Sequence, residues 1–134
     1  MSVESFLHPS GNTSFNQASI TAPAPGALSS QSLAVNNINL RFIFLPQVRE
    51  ITLDFVDFGG HENFSVNRST LDTRELTALP AVVNGVNVTV TSTPIVNAGG
   101  VQIGKQGKLH MQGQIGEFVV GGQEFAIDNV CGVK

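Results

Sequence analysis

The chain has 134 residues, of which 41% are hydrophobic and only 13% are charged. This length fits one domain, residues 1–134, with a sizeable core, and the low charge with fourteen glycines is typical of all-β proteins rather than Glu/Lys-rich helical ones. The net charge of −3 and the scattered lysines and arginines provide no basic patch for phosphates, so we expect no nucleic-acid partner.

The sequence also excludes several other classes of protein. Cys131 is the single cysteine, so the fold has no internal disulfide and no cysteine-based zinc site. No apolar run approaches the roughly 18 residues of a membrane span, which predicts that the chain does not cross a membrane. The segment Met1–Leu7 lacks the positive start and the long apolar stretch of a signal peptide.

Residues 7–32 are rich in Pro, Ser, Ala, Asn and Gly, with Pro23-Ala-Pro25-Gly26 at their centre. This composition predicts a long irregular loop or arm. Two alternatives stay open: a disordered arm, or an arm that wraps around a neighbouring subunit of a homo-oligomer. Ile20 and Leu28 are the candidates for anchoring the segment to the core.

From Leu33 onward, apolar and polar residues alternate with the period of a β-strand. The pattern predicts strands near 33–45 and 50–58, and the break at Pro46 predicts a hairpin around Pro46-Gln47. Further strands are expected near 62–67, 81–84, 86–93, 101–103, 108–120 and 123–131. Asn84-Gly85 and Gly121-Gly122 are the expected hairpin turns, and the polar, glycine-rich segment 101–107 is an expected connection. About eight strands without a ten-residue helix predict a β-sandwich or barrel.

Four polar residues surround the Gly59-Gly60 pair: Asp57, His61, Glu62 and Asn63. Loops held by a rigid sheet commonly carry binding groups, so these four residues are the candidate ligand-binding site, for a cation or for the hydroxyl groups of a sugar. The alternative is a solvated hairpin tip, in which the same residue types are favoured by turn geometry.

The residues of common catalytic motifs are missing from the sequence. There is no Gly-x-Ser-x-Gly elbow, no His-Glu-x-x-His and no Walker loop, so we expect that the protein is not an enzyme. Trp and Tyr, on which sugar rings usually stack, are absent as well. Any sugar is therefore expected to bind through hydrogen bonds from loops.

The segment Glu124-Phe-Ala-Ile-Asp-Asn-Val130 resembles the closing strand of galactose-binding-like jelly-roll modules, which include many carbohydrate-binding modules of secreted bacterial proteins. Residues 40–55 are similar to the central hairpin of those modules. The resemblance implies an antiparallel β-sandwich of jelly-roll type. It also implies an extracellular or periplasmic location.

In that group of modules, the aspartate of the closing strand often holds a structural calcium ion against a glutamate of the first strand. The corresponding residues here are Asp128 and Glu4. From the residues alone, Asp128 is either a ligand of a hard cation or a charge that protects an edge strand from aggregation. The segment 57–63 is the second expected place for calcium.

Two classes of function follow from these observations. The first is a non-catalytic ligand-binding module of an exported bacterial protein, with a glycan as the expected ligand. The second is a structural module for self-association or adhesion, which is favoured by the uncharged polar composition and the arm at 7–32.

Overall fold

The structure is a computed structural model and describes residues 1–22 and 31–134. It contains eleven strands and one 3-10 turn, Leu76–Ala78, and the described residues include no α-helix. The strands are β1 (Ser2–Leu7), β2 (Thr13–Ser14), β3 (Ser19–Thr21), β4 (Ser32–Ala34), β5 (Ile38–Asp57), β6 (Glu62–Val66), β7 (Asp72–Arg74), β8 (Val82–Val83), β9 (Val86–Val96), β10 (Gln102–Gly122) and β11 (Phe125–Val133).

Neighbouring strands pair in antiparallel fashion in the order β3-β4-β11-β5-β10-β6-β7. Strand β1 adds to the first part of β5, strand β9 adds to β10, and the short strands β2 and β8 pair with β1 and β9. The prediction of an all-β antiparallel fold is confirmed. The two-layer jelly-roll arrangement stays a prediction.

Strand β5 corrects the predicted hairpin at Pro46-Gln47, because the chain continues as one strand from Ile38 to Asp57. Val48 lies opposite Ile115 and Ile43 opposite Glu117, so residues 44–47 face only Gly116 of β10. Proline cannot donate a ladder hydrogen bond, but it is tolerated where a bulge interrupts the pairing. Pro46 therefore bends β5 without ending it.

Strand β10 corrects two further expectations. The segment 104–107 lies inside the strand, and Gly107 is required there because a Cβ atom would lie 2.0 Å from the carbonyl oxygen of Thr91. Gly121 and Gly122 form no hairpin, since they pair with Asn63 and Glu62 of β6. A Cβ atom at Gly121 would lie 2.1 Å from the carbonyl oxygen of Ile38. Glycine is therefore needed because the backbone of Ile38 approaches too closely for a side chain.

The hairpin expected at Asn84-Gly85 is present and joins β8 to β9. Both residues have positive φ angles, 47° and 78°, as a tight two-residue turn requires. Between residues 7 and 32, the structure shows β2 and β3 where an irregular path was expected. Ile20 is 71% exposed and does not anchor this segment. Pro23-Ala-Pro25-Gly26 and Leu28 lie outside the described residues.

The hydrophobic core is formed mainly by alternate residues of the long strands. Buried members from β5 and β10 include Ile51, Leu53, Phe55, Leu109, Met111, Ile115 and Phe118. The ring of Phe118 stacks on Phe42 at a centroid distance of 4.7 Å. Within the described residues, no helix is long and apolar enough to cross a membrane.

Candidate functional site

The predicted binding residues lie where the chain passes from β5 to β6. Asp57 ends β5 and Glu62 begins β6, and these two strands lie on opposite sides of β10. Asp57 pairs with Lys105 near the start of β10, whereas Glu62 pairs with Gly122 at its end, so the segment 58–61 does not close a hairpin. It lies beside the turn between β10 and β11, where the N–H of Phe58 donates to the carbonyl oxygen of Glu124. His61 is exposed, whereas Asp57, Glu62 and Asn63 are 2%, 1% and 0% exposed. The alternative of a solvated hairpin tip is therefore wrong for three of the four residues.

The structure brings two of these residues together with a third carboxylate, that of Glu75. Oxygen atoms of Asp57, Glu62 and Glu75 all lie within 4.8 Å of one another. We call these three residues the acidic pocket. Lys105 of β10 pairs with Asp57 in the strand register, and its Nζ atom lies 3.4 Å from Asp57 Oδ2 and forms an ion pair with Glu75.

Glu62 is held firmly but only at one of its two oxygen atoms. Its Oε2 atom accepts a hydrogen bond of 2.9 Å from the backbone N–H of Leu76, whereas its buried Oε1 atom receives no hydrogen bond. Burial raises the pKa of Glu62 to about 7, and the negative charge of Asp57 contributes to the increase. The Leu76 N–H and the charge of Lys105 oppose this shift.

Asp57 has partners from its own loop and from β10. Its Oδ1 atom accepts a 2.8 Å hydrogen bond from the backbone N–H of Gly59, which fixes the start of the segment 58–61. A cleft of about 300 Å³ reaches the acidic pocket from solvent and is lined in part by Asp57, Gly59, Glu75, Gln102 and Lys105. Asp57 and Glu75 therefore line the entrance to the pocket, while Glu62 is fully buried.

Asn63 is fully buried. Both of its amide atoms lack a partner in the described part of the chain, and so does Oδ1 of Asn39. Asn63 pairs with Gly121 in the sheet, and a Cβ atom at Gly121 would lie 2.3 Å from Asn39 Oδ1. Gly121 therefore adjoins two buried amides, of which Asn39 is anchored through its Nδ2 atom to the carbonyl oxygen of Ser5.

Sequence reasoning missed Glu75 and Lys105. Glu75 precedes the 3-10 turn, and Lys105 lies in the segment that was expected to be a glycine-rich connection. Neither residue is close in sequence to Asp57. Lys105 reaches Asp57 through the pairing of β5 and β10, and Glu75 joins them through the packing of the segment before the 3-10 turn. No local sequence pattern signals either contact.

The proposed calcium ligands Glu4 and Asp128 have other contacts in the structure. The carboxylate of Glu4 accepts hydrogen bonds from Arg41 Nε at 2.5 Å and Arg41 Nη2 at 3.1 Å. The Oδ1 atom of Asp128 accepts a 2.7 Å hydrogen bond from the backbone N–H of Asn129. A calcium ion at Glu4 would compete with the Arg41 guanidinium, and this metal site stays a prediction.

A second concave surface, of about 660 Å³, lies beside the bend of β5. We call it the amide groove and define it by Ile43, Leu45, Gln47, Arg68, Asn84 and Gln114. Leu45 is 91% exposed and Ile43 is 55% exposed. The side chains of Gln47 and Gln114 are exposed and form no hydrogen bond with the described residues.

Asn67 holds the wall of the amide groove in place. Its Oδ1 atom accepts a 2.9 Å hydrogen bond from the N–H of Gly116, and its Nδ2 atom donates to the carbonyl oxygen of Gln114 at 2.7 Å. Asn84 donates from Nδ2 to the carbonyl oxygen of Asn67 at 2.8 Å. Asn67, Arg68 and Asn84 all have positive φ angles, and non-glycine residues in this conformation cluster at functional sites.

These features define an all-β antiparallel protein with a buried acidic pocket and a separate, amide-lined groove. Comparison with protein-family models, with curated proteins and with solved structures finds no match for the chain. The resemblance to galactose-binding-like modules therefore stays a prediction.

Proposed function

We propose that the protein is a non-catalytic carbohydrate-binding module of an exported bacterial protein, and that the sugar binds in the amide groove. The observation that carries this proposal is the position of two exposed, unengaged amide side chains, Gln47 and Gln114, beside exposed aliphatic side chains. Such a surface combines the two kinds of contact that a sugar ring offers, namely hydroxyl groups and an apolar C–H face.

Each part of the groove has a role in this proposal. An amide presents a donor and an acceptor at once, so Gln47 and Gln114 suit neighbouring sugar hydroxyls. Leu45 and Ile43 provide apolar contact in the absence of Trp and Tyr. The hydrogen bonds of Asn67 order the wall before the ligand arrives, which lowers the entropic cost of binding.

The residues that the sequence singled out are less suited to direct sugar contact. Asp57, Glu62 and Asn63 are buried, and a sugar hydroxyl needs groups at an accessible surface. His61 is exposed, and its backbone N–H donates to Gln123 Oε1 at 3.0 Å. We therefore assign the ligand to the amide groove and leave the acidic pocket for a different role.

The test is a glycan array, followed by calorimetric titration of the sugars that bind. Removing one amide hydrogen-bonding group typically costs about 1 kcal/mol, so we expect Gln114→Ala to weaken binding by at least about fivefold. Gln112→Ala is the matched control, because Gln112 is an exposed residue of the same strand outside the groove. The proposal would be contradicted if the two variants bound the sugar with equal affinity, or if the wild-type protein bound no glycan.

A second candidate is self-association, and the edge strand β3 favours it. Ile20 of β3 is 71% exposed and Phe15 is 67% exposed, and one edge of β3 pairs with no other strand among residues 1–22 and 31–134. Light scattering of the wild type and of Ile20→Lys tests this function. A dimer that dissociates in Ile20→Lys but persists in Val82→Lys, an exposed position on another short strand, would support it. A wild-type monomer at high protein concentration would contradict it.

A further inference from the structure

The acidic pocket carries more negative charge than its partners neutralise. When all three carboxylates are ionised, they and the ammonium group of Lys105 have a net charge of −2. Two of the carboxylates, those of Asp57 and Glu62, are almost completely buried, and uncompensated charge in such a position is strongly unfavourable. The pocket therefore favours the uptake of positive charge, in the form of a proton or a bound cation.

A second observation shows where that charge would be placed. Oε1 of Glu62 is buried and accepts no hydrogen bond from any described residue, although it belongs to a carboxylate beside Asp57. The other oxygen, Oε2, accepts a hydrogen bond from the N–H of Leu76. Lys105 forms its ion pairs with Asp57 and Glu75. Buried polar atoms almost always have a partner, so this open oxygen is a position for a proton shared with Asp57 or for a bound cation.

We propose that the acidic pocket binds a divalent cation, with calcium as the preferred ion and with Asp57, Glu62 and Glu75 as its protein ligands. A divalent ion brings the net charge of the pocket and Lys105 to zero. Carboxylates are ligands of hard cations, and the group contains no Cys or His that would favour a softer metal.

The number of carboxylates favours calcium over magnesium, because magnesium is usually held by only one or two carboxylates. Calcium accepts six to eight oxygen ligands in irregular arrangements, whereas magnesium requires near-ideal octahedral geometry. The cleft in front of Asp57 and Glu75 admits water for the remaining positions, and the side chain of Gln102 lies at its rim. This site is separate from the amide groove and from the Glu4 and Asp128 pair, so its existence does not depend on the proposed function.

The experiment is a calorimetric titration of the full chain, freed of metal with a chelator, with calcium chloride or magnesium chloride at pH 7.5. A parallel thermal melt records stability with and without 10 mM calcium. We expect one calcium ion per chain, weaker binding of magnesium, and a rise in melting temperature of about 10 °C if the dissociation constant is near 0.1 mM.

Variants decide whether the ion lies in the acidic pocket. Glu62→Gln can keep the hydrogen bond from Leu76 but removes the charge, so the calcium-induced rise in melting temperature is expected to disappear. Glu75→Gln alters the more exposed rim ligand and serves if Glu62→Gln does not fold. Glu124→Gln, a substitution of an exposed carboxylate near Gly59, is the matched control and is expected to keep the full effect.

Two results would overturn the proposal. One is a wild-type protein that shows neither heat of binding nor a change in melting temperature at 10 mM calcium. The other is a calcium effect that survives in both Glu62→Gln and Glu75→Gln. If that surviving effect disappears in Asp128→Asn, the ion binds at the closing strand instead of in the acidic pocket.

Discussion

Asp57 and Lys105 lie opposite each other on β5 and β10, and Asp57 Oδ2 is 3.4 Å from Lys105 Nζ. Asp57 is 2% exposed, so most of the environment that stabilises its charge is protein rather than water. The same lysine also contacts Glu75, which lies outside both strands. Lys105 therefore links the central strand pair to the segment before the 3-10 turn.

We predict that Lys105→Met lowers stability by about 2 kcal/mol, because it leaves the buried Asp57 carboxylate without a cationic partner. Lys108→Met is the matched control. Lys108 lies on the same strand and pairs with Asp54 at 2.8 Å, but its side chain is 53% exposed, and exposed pairs contribute under about 1 kcal/mol. Urea unfolding measures both values, and equal losses in the two variants would contradict a special role for Lys105.

Glu62 predicts a pH dependence of stability in calcium-free buffer. Its pKa is about 7 in the folded protein, whereas the ordinary pKa of a glutamate is 4.5. Between these values the folded state binds more protons than the unfolded state, so the free energy of unfolding falls as the pH rises. The decrease attributable to Glu62 is complete above pH 7 and amounts to about 3 kcal/mol.

Unfolding by urea at pH 4.5 to 8, in wild type and Glu62→Gln, isolates this contribution. Asp57, Glu75 and Lys105 face Glu62 and are unchanged in the variant. We expect the variant to gain stability relative to wild type as the pH rises. Parallel curves for the two proteins across the whole range would show that Glu62 is not the titrating group.

We predict that one added methyl group at Gly107 strongly lowers the stability of the protein. A Cβ atom there would lie 2.0 Å from the carbonyl oxygen of Thr91 and 2.9 Å from the ring of Phe55. Since backbone cannot move away without breaking the pairing with β9, Gly107→Ala is expected to cost about 3 kcal/mol or more. Gly132→Ala is the control, because its added Cβ atom would lie 3.5 Å from the nearest atom, and it is expected to change stability by under about 0.5 kcal/mol. Thermal melts of both variants measure the two changes.

We predict that the buried ring of Phe118 contributes strongly to the stability of the core. It is fully buried and stacks on Phe42, so Phe118→Ala is expected to cost about 4 kcal/mol through lost burial and the cavity left behind. Phe15→Ala removes a ring that is 67% exposed and is expected to cost under about 0.5 kcal/mol. Similar losses in chemical denaturation would place Phe118 outside the folded core.

The local sequence was sufficient wherever neighbouring residues decide the structure. Alternation of Val86, Val88 and Val90 with polar residues predicted β9, because successive side chains of a strand face opposite sides. Asn84-Gly85 predicted its turn, since only certain residues accept positive φ angles at low cost. The all-β class followed from the same patterns, and the candidate residues Asp57 and Glu62 were found from polarity beside a glycine pair.

Tertiary contacts decided the features for which local patterns were misleading. Pro46 does not end β5, because the bulge opposite Gly116 means that no ladder hydrogen bond from an N–H is needed at this position. Gly121 is explained by the close approach of the backbone of Ile38 and not by a turn. Both depend on residues distant in the chain. The acidic pocket has the same origin: Glu75 and Lys105 join Asp57 only through strand pairing and loop packing, and burial, which composition cannot show, raises the pKa of Glu62.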